Sequence, residues 1–235
     1  MKTLLGLVAL TIVGCTDPAL EERIAGLEEK VEALEKKGPA GRPAPANSEE
    51  EQAASGLLRE ASELAKNLKY DEAKTKVAEL KEKYGSTRAA RSAARLSSEL
   101  DVIGREAGSL DVDKWFVGNT NFDSGEATLV VFWEIWCPHC RREVPKLQET
   151  YNNFSGKGLN MVALTKVTKS ATDEKVAEFI AENSLTYPSA KERGDEMSRR
   201  FNIRGIPAAV VLKNDKVVWR GHPAQLSNEM IENWL

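Results

Sequence analysis

Residues 128–140 read TLVVFWEIWCPHC and decide the fold. Residues 128–133 form a continuous apolar run, which is typical of a strand that is buried on both faces of a sheet. The run leads directly to Cys137 and Cys140, and a helical pattern follows over residues 141–151. Pro138 suits the first position of that helix, because the N–H that proline lacks would be unpaired there in any case. The stretch therefore predicts a buried strand, a turn, and a helix that begins at the cysteine pair.

The two cysteines indicate redox chemistry. A helix that begins after Cys137 directs its unpaired N–H groups and its dipole at the Cys137 sulfur, which favours the thiolate. Cys140 lies one turn further along and is shielded, so it suits the resolving step of thiol–disulfide exchange. Half of a zinc site is the alternative, but zinc needs four ligands. Only His139 and His222 remain to complete such a set. We therefore predict no metal and no cofactor.

The sequence after residue 108 alternates between strand and helix patterns. Residues 159–164 predict a second buried strand, and residues 173–183 predict an amphipathic helix. The stretches 208–212 and 216–219 predict a hairpin around Asn214 and Asp215, and residues 227–235 predict a terminal helix. Tyr187 and Pro188 are expected to begin a segment at the sheet edge, where proline is tolerated. This alternation indicates the α/β class.

Three motifs resemble those of the thioredoxin superfamily. Residues 132–140, FWEIWCPHC, look like its active-site motif FWxxWCxxC, and residues 204–208, RGIPA, look like the loop whose cis-proline faces the cysteines. Residues 140–145, CRREVP, resemble the TlpA/ResA-like branch of extracytoplasmic, membrane-tethered thiol–disulfide oxidoreductases. The resemblance covers residues 111–235 and implies a central mixed sheet flanked by helices.

The resemblance also implies roles for individual residues. Cys137 corresponds to the attacking thiolate and Cys140 to the resolving thiol. Pro207, with Ile206 before it, corresponds to the cis-proline loop that pairs with the substrate main chain. The residues expected to flank or tune the site are Trp136, Pro138, His139 and Glu143.

Two of these assignments leave alternatives open. Glu143 resembles the acidic residue that tunes the cysteines in the ResA-like branch, but a surface helix charge is the competing interpretation. Pro138 and His139 resemble the dipeptide of DsbA-like oxidases, in which the histidine stabilises the thiolate, whereas the ResA-like branch is reducing. The two resemblances therefore predict opposite redox directions.

The N-terminus resembles a bacterial lipoprotein signal. Lys2 precedes a short apolar run over residues 4–13, which fits a signal peptide and is too short for a stable membrane span. Residues 12–15, IVGC, resemble a lipobox, in which Cys15 would receive the lipid after cleavage of residues 1–14. The alternative is a soluble secreted protein with a chance cysteine. Both interpretations place the chain outside the cytoplasm, facing the periplasm, with the inner or outer membrane left open.

Residues 15–107 predict an all-α region ahead of the thioredoxin-like domain. Apolar residues at 20, 24, 27, 31 and 34 form a short heptad seam, which indicates either a parallel dimeric coiled coil or a single amphipathic helix. Residues 38–47, GPAGRPAPAN, predict a semi-rigid linker. Residues 48–107 predict three helices with a weak tetratricopeptide likeness, as a spacer or a protein-binding module. Ser48 and Glu51 match a capping box at their start.

Composition limits the remaining function classes. The chain has 235 residues, 33 basic and 36 acidic, with a net charge of −3. This balance argues against nucleic acid as the main partner and against a disordered acidic chain. The predicted domains are residues 1–14, 15–37, 38–47, 48–107 and 108–235.

The resulting prediction is a lipid-anchored oxidoreductase that exchanges disulfides with extracytoplasmic proteins. Its partners would be protein thiols or disulfides, a membrane redox donor if it is a reductase, and a second copy of the chain if it is a dimeric isomerase. The alternative from another class is a recruitment scaffold that uses a thioredoxin-like domain as a docking surface.

Overall fold

A computed structural model describes residues 48–235. The predicted signal peptide, Cys15, the heptad seam over residues 20–34 and the linker 38–47 lie outside the described residues. Within residues 48–235, no helix is both long and apolar enough to cross a membrane.

The helical region consists of three helices in the part of the chain before the sheet. They are α1 (Ser48–Lys66), α2 (Tyr70–Tyr84) and α3 (Arg88–Leu100). The apolar faces predicted from helical spacing pack together in two buried clusters, one around Leu80 and Ala93 and the other around Val77 and Leu100. Leu68 lies just beyond the last residue of α1. Its φ of +59° ends α1 in the left-handed region, and its side chain is 39% exposed.

Glu51 caps a different helix from the one that the sequence predicts. In a capping box its carboxylate would return to the start of its own helix. Instead, its two oxygens accept the backbone N–H groups of Arg88 and Ala89, each at 2.9 Å. These donors belong to the first turn of α3, where Thr87 caps Ala90 at 3.0 Å. Glu51 thus ties α1 to the N-terminus of α3, where a negative charge is favourable.

Glu51→Gln should destabilise the fold at pH 7, with an effect that disappears in acid. The two N–H donors hold the pKa of Glu51 below its ordinary value. A lowered pKa means that the stabilisation is present above the unfolded-state value, about 4.3, and is lost as pH falls through the folded-state value. Urea denaturation at pH 7 and at pH 3 measures this difference.

Glu49→Gln is the matched control, since Glu49 is an exposed carboxylate in the same helical turn. Equal effects of the two variants, or a Glu51→Gln effect that persists at pH 3, would contradict the role of Glu51.

The sheet confirms the mixed α/β class. In the described part of the chain it has six strands: β1 (Val112–Val117), β2 (Ala127–Trp133), β3 (Leu159–Thr165), β4 (Ser189–Glu192), β5 (Ala208–Lys213) and β6 (Lys216–Gly221). Their order is β1-β4-β3-β2-β5-β6. The strands β2, β3 and β4 are parallel, whereas β1, β5 and β6 are antiparallel to their neighbours. The central strand β2 is buried along its whole length, as its apolar run predicts.

Helices cover both faces of the sheet. They are α4 (Pro138–Glu143), α5 (Leu147–Phe154), α6 (Asp173–Glu182), α7 (Glu196–Arg200) and α8 (Asn228–Glu232). Alternate residues of β2 face opposite layers, so that Val131 packs with the α4, α5, α6 and α8 side and Phe132 with the α7 side. The helix predicted over residues 141–151 is interrupted between α4 and α5. Pro145 lies in that interruption and explains it, because a proline ring disrupts helical hydrogen bonding to the preceding turn.

The sequence analysis did not predict strand β1. Its prediction that Tyr187 and Pro188 begin a segment at the sheet edge was therefore wrong. The segment after Pro188 is β4, which pairs with β1 on one side and β3 on the other. The hairpin prediction is confirmed, because Asn214 and Asp215 join β5 to β6 with φ of +52° and +59°, as a two-residue hairpin loop requires. The terminal helix is shorter than predicted.

The helical region and the sheet are joined by backbone and side-chain contacts. Residues 104–107 run beside β6, with Gly104 N–H donating to the Val217 carbonyl at 2.8 Å and Val217 N–H donating to the Arg105 carbonyl at 2.9 Å. This segment covers the edge that β6 would otherwise expose. Arg220 of β6, whose side chain is 5% exposed, pairs with Glu99 of α3 at 3.3 Å. Helix α3 and the segment that follows it therefore pack against β6.

Candidate active site

The end of β2 and the start of α4 present Cys137. Three residues separate Trp133, the last residue of β2, from Cys137, which is the N-cap of α4 with Pro138 at the first helical position. The Cys140 N–H donates to Cys137 Sγ at 3.3 Å. A negative charge on Sγ therefore has a hydrogen-bond donor and the positive end of a helix beside it.

The two sulfurs have different environments. Cys137 is 5% exposed and borders a surface groove, whereas Cys140 is 0% exposed. Burial raises the pKa of the Cys140 thiol above its ordinary value. The outer cysteine can therefore be reached by a substrate, and the inner one is held as a thiol behind it. This is the asymmetry that an attacking and a resolving cysteine need.

The loop before β5 reaches the cysteines because β5 pairs with β2. The register places Ala208 opposite Phe132, so that residues just before β5 lie beside residues just after β2. The Ile206–Pro207 peptide bond is cis. The Ile206 carbonyl accepts from Cys137 Sγ at 3.7 Å, across 69 residues of sequence. The structure thus brings Ile206 and Pro207 to the cysteine pair.

Trp136 is fixed beside the cysteines by a loop that sequence reasoning did not identify. Its ring is 37% exposed. The indole N–H donates to Glu134 Oε2 at 2.6 Å and to Thr168 Oγ1 at 3.1 Å. The ammonium of Lys169 lies over the ring, 3.0 Å from its centroid. Thr168 and Lys169 carry no motif that would have marked them, since their role depends on the fold alone.

His139 is exposed and contacts Arg142, which lies one turn further along the same helix, α4. Its Nδ1 lies 2.7 Å from Nη2 of Arg142. A guanidinium has only donors, so Nδ1 of His139 is the acceptor in this contact. The structure thus places the His139 ring against the Arg142 guanidinium.

Glu143 is the last residue of α4, the helix that begins after Cys137. Its carboxylate pairs with Lys146 at 2.9 Å, and its side chain is 17% exposed. It also faces His222: burial lowers the pKa of His222, and the Glu143 carboxylate opposes that shift. The structure therefore brings Glu143 together with Lys146 and His222. His222 itself lies in a turn, where its Nδ1 accepts the Ala224 N–H at 3.1 Å.

A groove of about 470 Å³ runs from Cys137 across the end of the sheet. At its far end lies Glu192, whose side chain is 1% exposed. Its carboxylate accepts the Ser198 N–H at 2.8 Å and the Ser198 hydroxyl at 2.6 Å, and it pairs with Lys166 at 3.2 Å. Sequence reasoning missed this cluster, because its members come from three separate segments. Within residues 48–235, no three His, Cys, Asp or Glu side chains form a group that could hold a metal.

Comparisons with known proteins agree with this arrangement. The model of the AhpC/TSA family matches residues 111–220. The sporulation thiol–disulfide oxidoreductase A of Bacillus subtilis is 25% identical over 112 residues, which are 48% of this chain and 68% of that protein. The thiol–disulfide oxidoreductase ResA of Bacillus thuringiensis is 26% identical over 111 residues, which are 47% of this chain and 62% of that protein.

Among solved structures, the thioredoxin domain of a thiol–disulfide oxidoreductase from Bacteroides vulgatus aligns with a TM-score of 0.49 and 23% identity, over 57% of this chain and 98% of that one. The family match spans residues 111–220, which include all of the sheet except Gly221, together with Cys137, Cys140 and the cis-proline. Residues 111–220 are therefore similar to the AhpC/TSA family, and the relatives that match this part of the chain are thiol–disulfide oxidoreductases.

Proposed function

We propose that this protein exchanges disulfides with extracytoplasmic proteins through Cys137 and Cys140. One observation supports this most directly: Cys137 Sγ borders the groove between the N-terminus of α4 and the Ile206 carbonyl, with Cys140 fully buried behind it. That arrangement has a reachable nucleophile, a donor for its charge and a second thiol close enough to displace it.

The chemistry proceeds in two displacements. The Cys137 thiolate attacks one sulfur of a substrate disulfide, forms a mixed disulfide and releases the other substrate sulfur as a thiolate. The Cys140 thiolate then attacks Cys137 Sγ, closes the Cys137–Cys140 disulfide and releases the second substrate sulfur. Two electrons pass from the protein to the substrate. The reverse sequence donates a disulfide to a substrate dithiol.

The protein surface around Cys137 suits an extended substrate. Pro207 has no N–H, and the backbone of Ile206 lies beside Cys137, where it can pair with a substrate main chain. Trp136, held by Glu134 and Thr168, offers an exposed aromatic face on the same groove.

The reduction potential of the Cys137–Cys140 pair tests this function and its direction. We would equilibrate a Cys15→Ala chain with glutathione buffers and measure the oxidised fraction by mass spectrometry. A potential of about −120 to −180 mV identifies a disulfide donor or isomerase, and about −250 mV or lower identifies a reductant that needs a membrane electron donor. The absence of a redox equilibrium would exclude exchange and leave the scaffold hypothesis.

Membrane anchoring is the second part of the proposal. It rests on the lipobox-like residues 12–15 and on the resemblance of residues 140–145 to a membrane-tethered branch. A lipid on Cys15 would hold the domain 108–235 at a membrane surface outside the cytoplasm, with residues 15–107 as stalk, linker and helical spacer, and with dimerisation through residues 20–34. In cell fractionation, Cys15→Ala should move the protein from membranes to the soluble fraction, and an unchanged distribution would contradict lipidation.

A further inference from the structure

Helix α3 of the helical region lies along the active-site loop. A second groove of about 510 Å³ is lined on one side by α3, through Arg95, Ser98 and Glu99, and on the other by His139 and residues 204–208. It shares His139, Arg204 and Ile206 with the groove that borders Cys137. The two grooves therefore meet at the cis-proline loop, and a chain that crosses Ile206 would touch α3.

This second groove carries an excess of positive charge. Three guanidinium groups line it, those of Arg95, Arg204 and Arg220, against the single carboxylate of Glu99. Arg220 is buried and paired with Glu99, whereas the Arg95 side chain is 73% exposed. Arg95 also reaches Glu99, at 3.0 Å, but that carboxylate is already shared with Arg220. Arg95 and Arg204 therefore present positive charge that the groove itself does not balance.

The positive wall is held in place relative to the cysteines. Asn202 donates through its side-chain amide to the Ser98 carbonyl of α3 at 3.1 Å. The same side chain accepts from Arg204 Nε at 3.2 Å. Helix α3 and the loop that ends at Pro207 are therefore linked through one residue, and the spacing between Arg95 and Cys137 does not depend on a flexible tether.

We infer that α3 is a substrate-selecting wall, which favours an acidic segment beside the reactive cysteine of the partner protein. This inference rests on the proposed function. An extended segment bound across Ile206 would place an Asp or Glu side chain, a few residues from its cysteine, against Arg95 and Arg204. Attraction between the acidic segment and these guanidinium groups accelerates productive encounter, whereas a basic segment is repelled.

The test compares three disulfide-bonded model peptides that differ only in the residues flanking their cysteines, which are Glu, Gln or Lys. The readout is the second-order rate constant of exchange with the reduced full chain. The unaltered protein should react with the Glu peptide about fivefold faster than with the Gln peptide, an effect of the size expected for a surface charge pair. It should react with the Lys peptide more slowly than with either of the others. About 0.5 M salt should remove the difference.

Arg95→Gln should lower the rate for the Glu peptide about fivefold and leave the rate for the Gln peptide within about twofold. Arg91→Gln is the matched control. It removes the same charge from the same helix one turn earlier, where Arg91 donates to the Ser86 carbonyl at 2.8 Å and lies outside the groove. It should change none of the rates.

Each other outcome has a distinct meaning. Equal rates for the three peptides with active protein would overturn the inference and leave the proposed function intact. An equal loss for all three peptides in Arg95→Gln would show a structural role only and would also overturn it. A change of oligomeric state in Arg95→Gln would assign the groove to a second copy of the chain instead. If the unaltered protein exchanges no peptide, the proposed function itself fails.

Discussion

Cys140→Ser should accumulate mixed disulfides between Cys137 and its protein substrates, whereas Cys137→Ser should accumulate none. The first displacement uses only the outer cysteine, which borders the groove. Release of the substrate then requires the inner one, which is 0% exposed and out of reach of other thiols. A serine hydroxyl cannot displace a disulfide sulfur under these conditions, so the intermediate persists. In Cys137→Ser the remaining thiol is shielded, and exchange should fall to the uncatalysed background.

The same intermediate predicts a pH dependence. Burial raises the pKa of the Cys140 thiol, so the thiolate is the minor form at neutral pH. Below that pKa, each unit of pH increases the thiolate fraction about tenfold. Mixed disulfides of the unaltered protein should therefore resolve faster as pH rises from 6 to 8. Mixed disulfides of Cys140→Ser should show no such acceleration, because this variant lacks the inner thiol that resolves them.

Acid-quenched samples on non-reducing gels, followed by peptide mapping, measure both effects. Mapping distinguishes adducts on Cys137 from adducts on Cys15. Equal adduct yields from the two serine variants, or adducts on Cys15 alone, would contradict the assignment of Cys137 as nucleophile.

Arg220→Met should cause the largest loss of stability among single side-chain changes outside the apolar core. The Arg220 side chain is 5% exposed and pairs with Glu99 at 3.3 Å. It also donates to the carbonyls of Phe201 and Asn202 at 3.1 and 3.0 Å. Methionine fills similar space but leaves these acceptors unpaired and Glu99 without its buried partner. Breaking one side of a buried ion pair costs about 3–5 kcal/mol in the free energy of unfolding.

Urea denaturation measures this loss, and Arg105→Met provides the comparison, because Arg105 has an exposed side chain. The double variant Arg220→Met with Glu99→Leu should recover part of the loss, since it removes a carboxylate that has lost its buried partner and keeps only the exposed Arg95. Hydrogen exchange should show the weakening in α3 and in residues 201–204 first, because Arg220 joins these two segments. A loss below about 1 kcal/mol, as for an exposed pair, would contradict the buried role of Arg220.

The features that could be predicted from the sequence depend on neighbours along the chain. The apolar run of β2, Cys137 at the N-cap with Pro138 after it, and the Asn214–Asp215 turn each follow from the conformational preferences of a few adjacent residues. The three helices before the sheet follow from helical spacing. Such patterns determine the α/β class and the start of α4 without any knowledge of packing.

The features that were missed or wrong depend on residues distant in sequence. Glu51 could cap its own helix or another, and only the packing of α1 against α3 selects Arg88 and Ala89. Pro188 suits a sheet edge, but β1 pairs with the strand that follows it and makes that strand internal. The half-polar pattern of β1 did not identify it as a strand.

The sequence by itself determined the domain class, the cysteine pair and its place at a helix start, because these require only local conformation and side-chain chemistry. The tertiary structure alone decided what surrounds that pair. It placed Ile206 against Cys137, Lys169 over Trp136, and α3 beside the cis-proline loop. Each of these contacts joins segments that are distant along the chain and meet only when the strands pair and the helices pack. The conformational preferences of neighbouring residues do not determine such contacts.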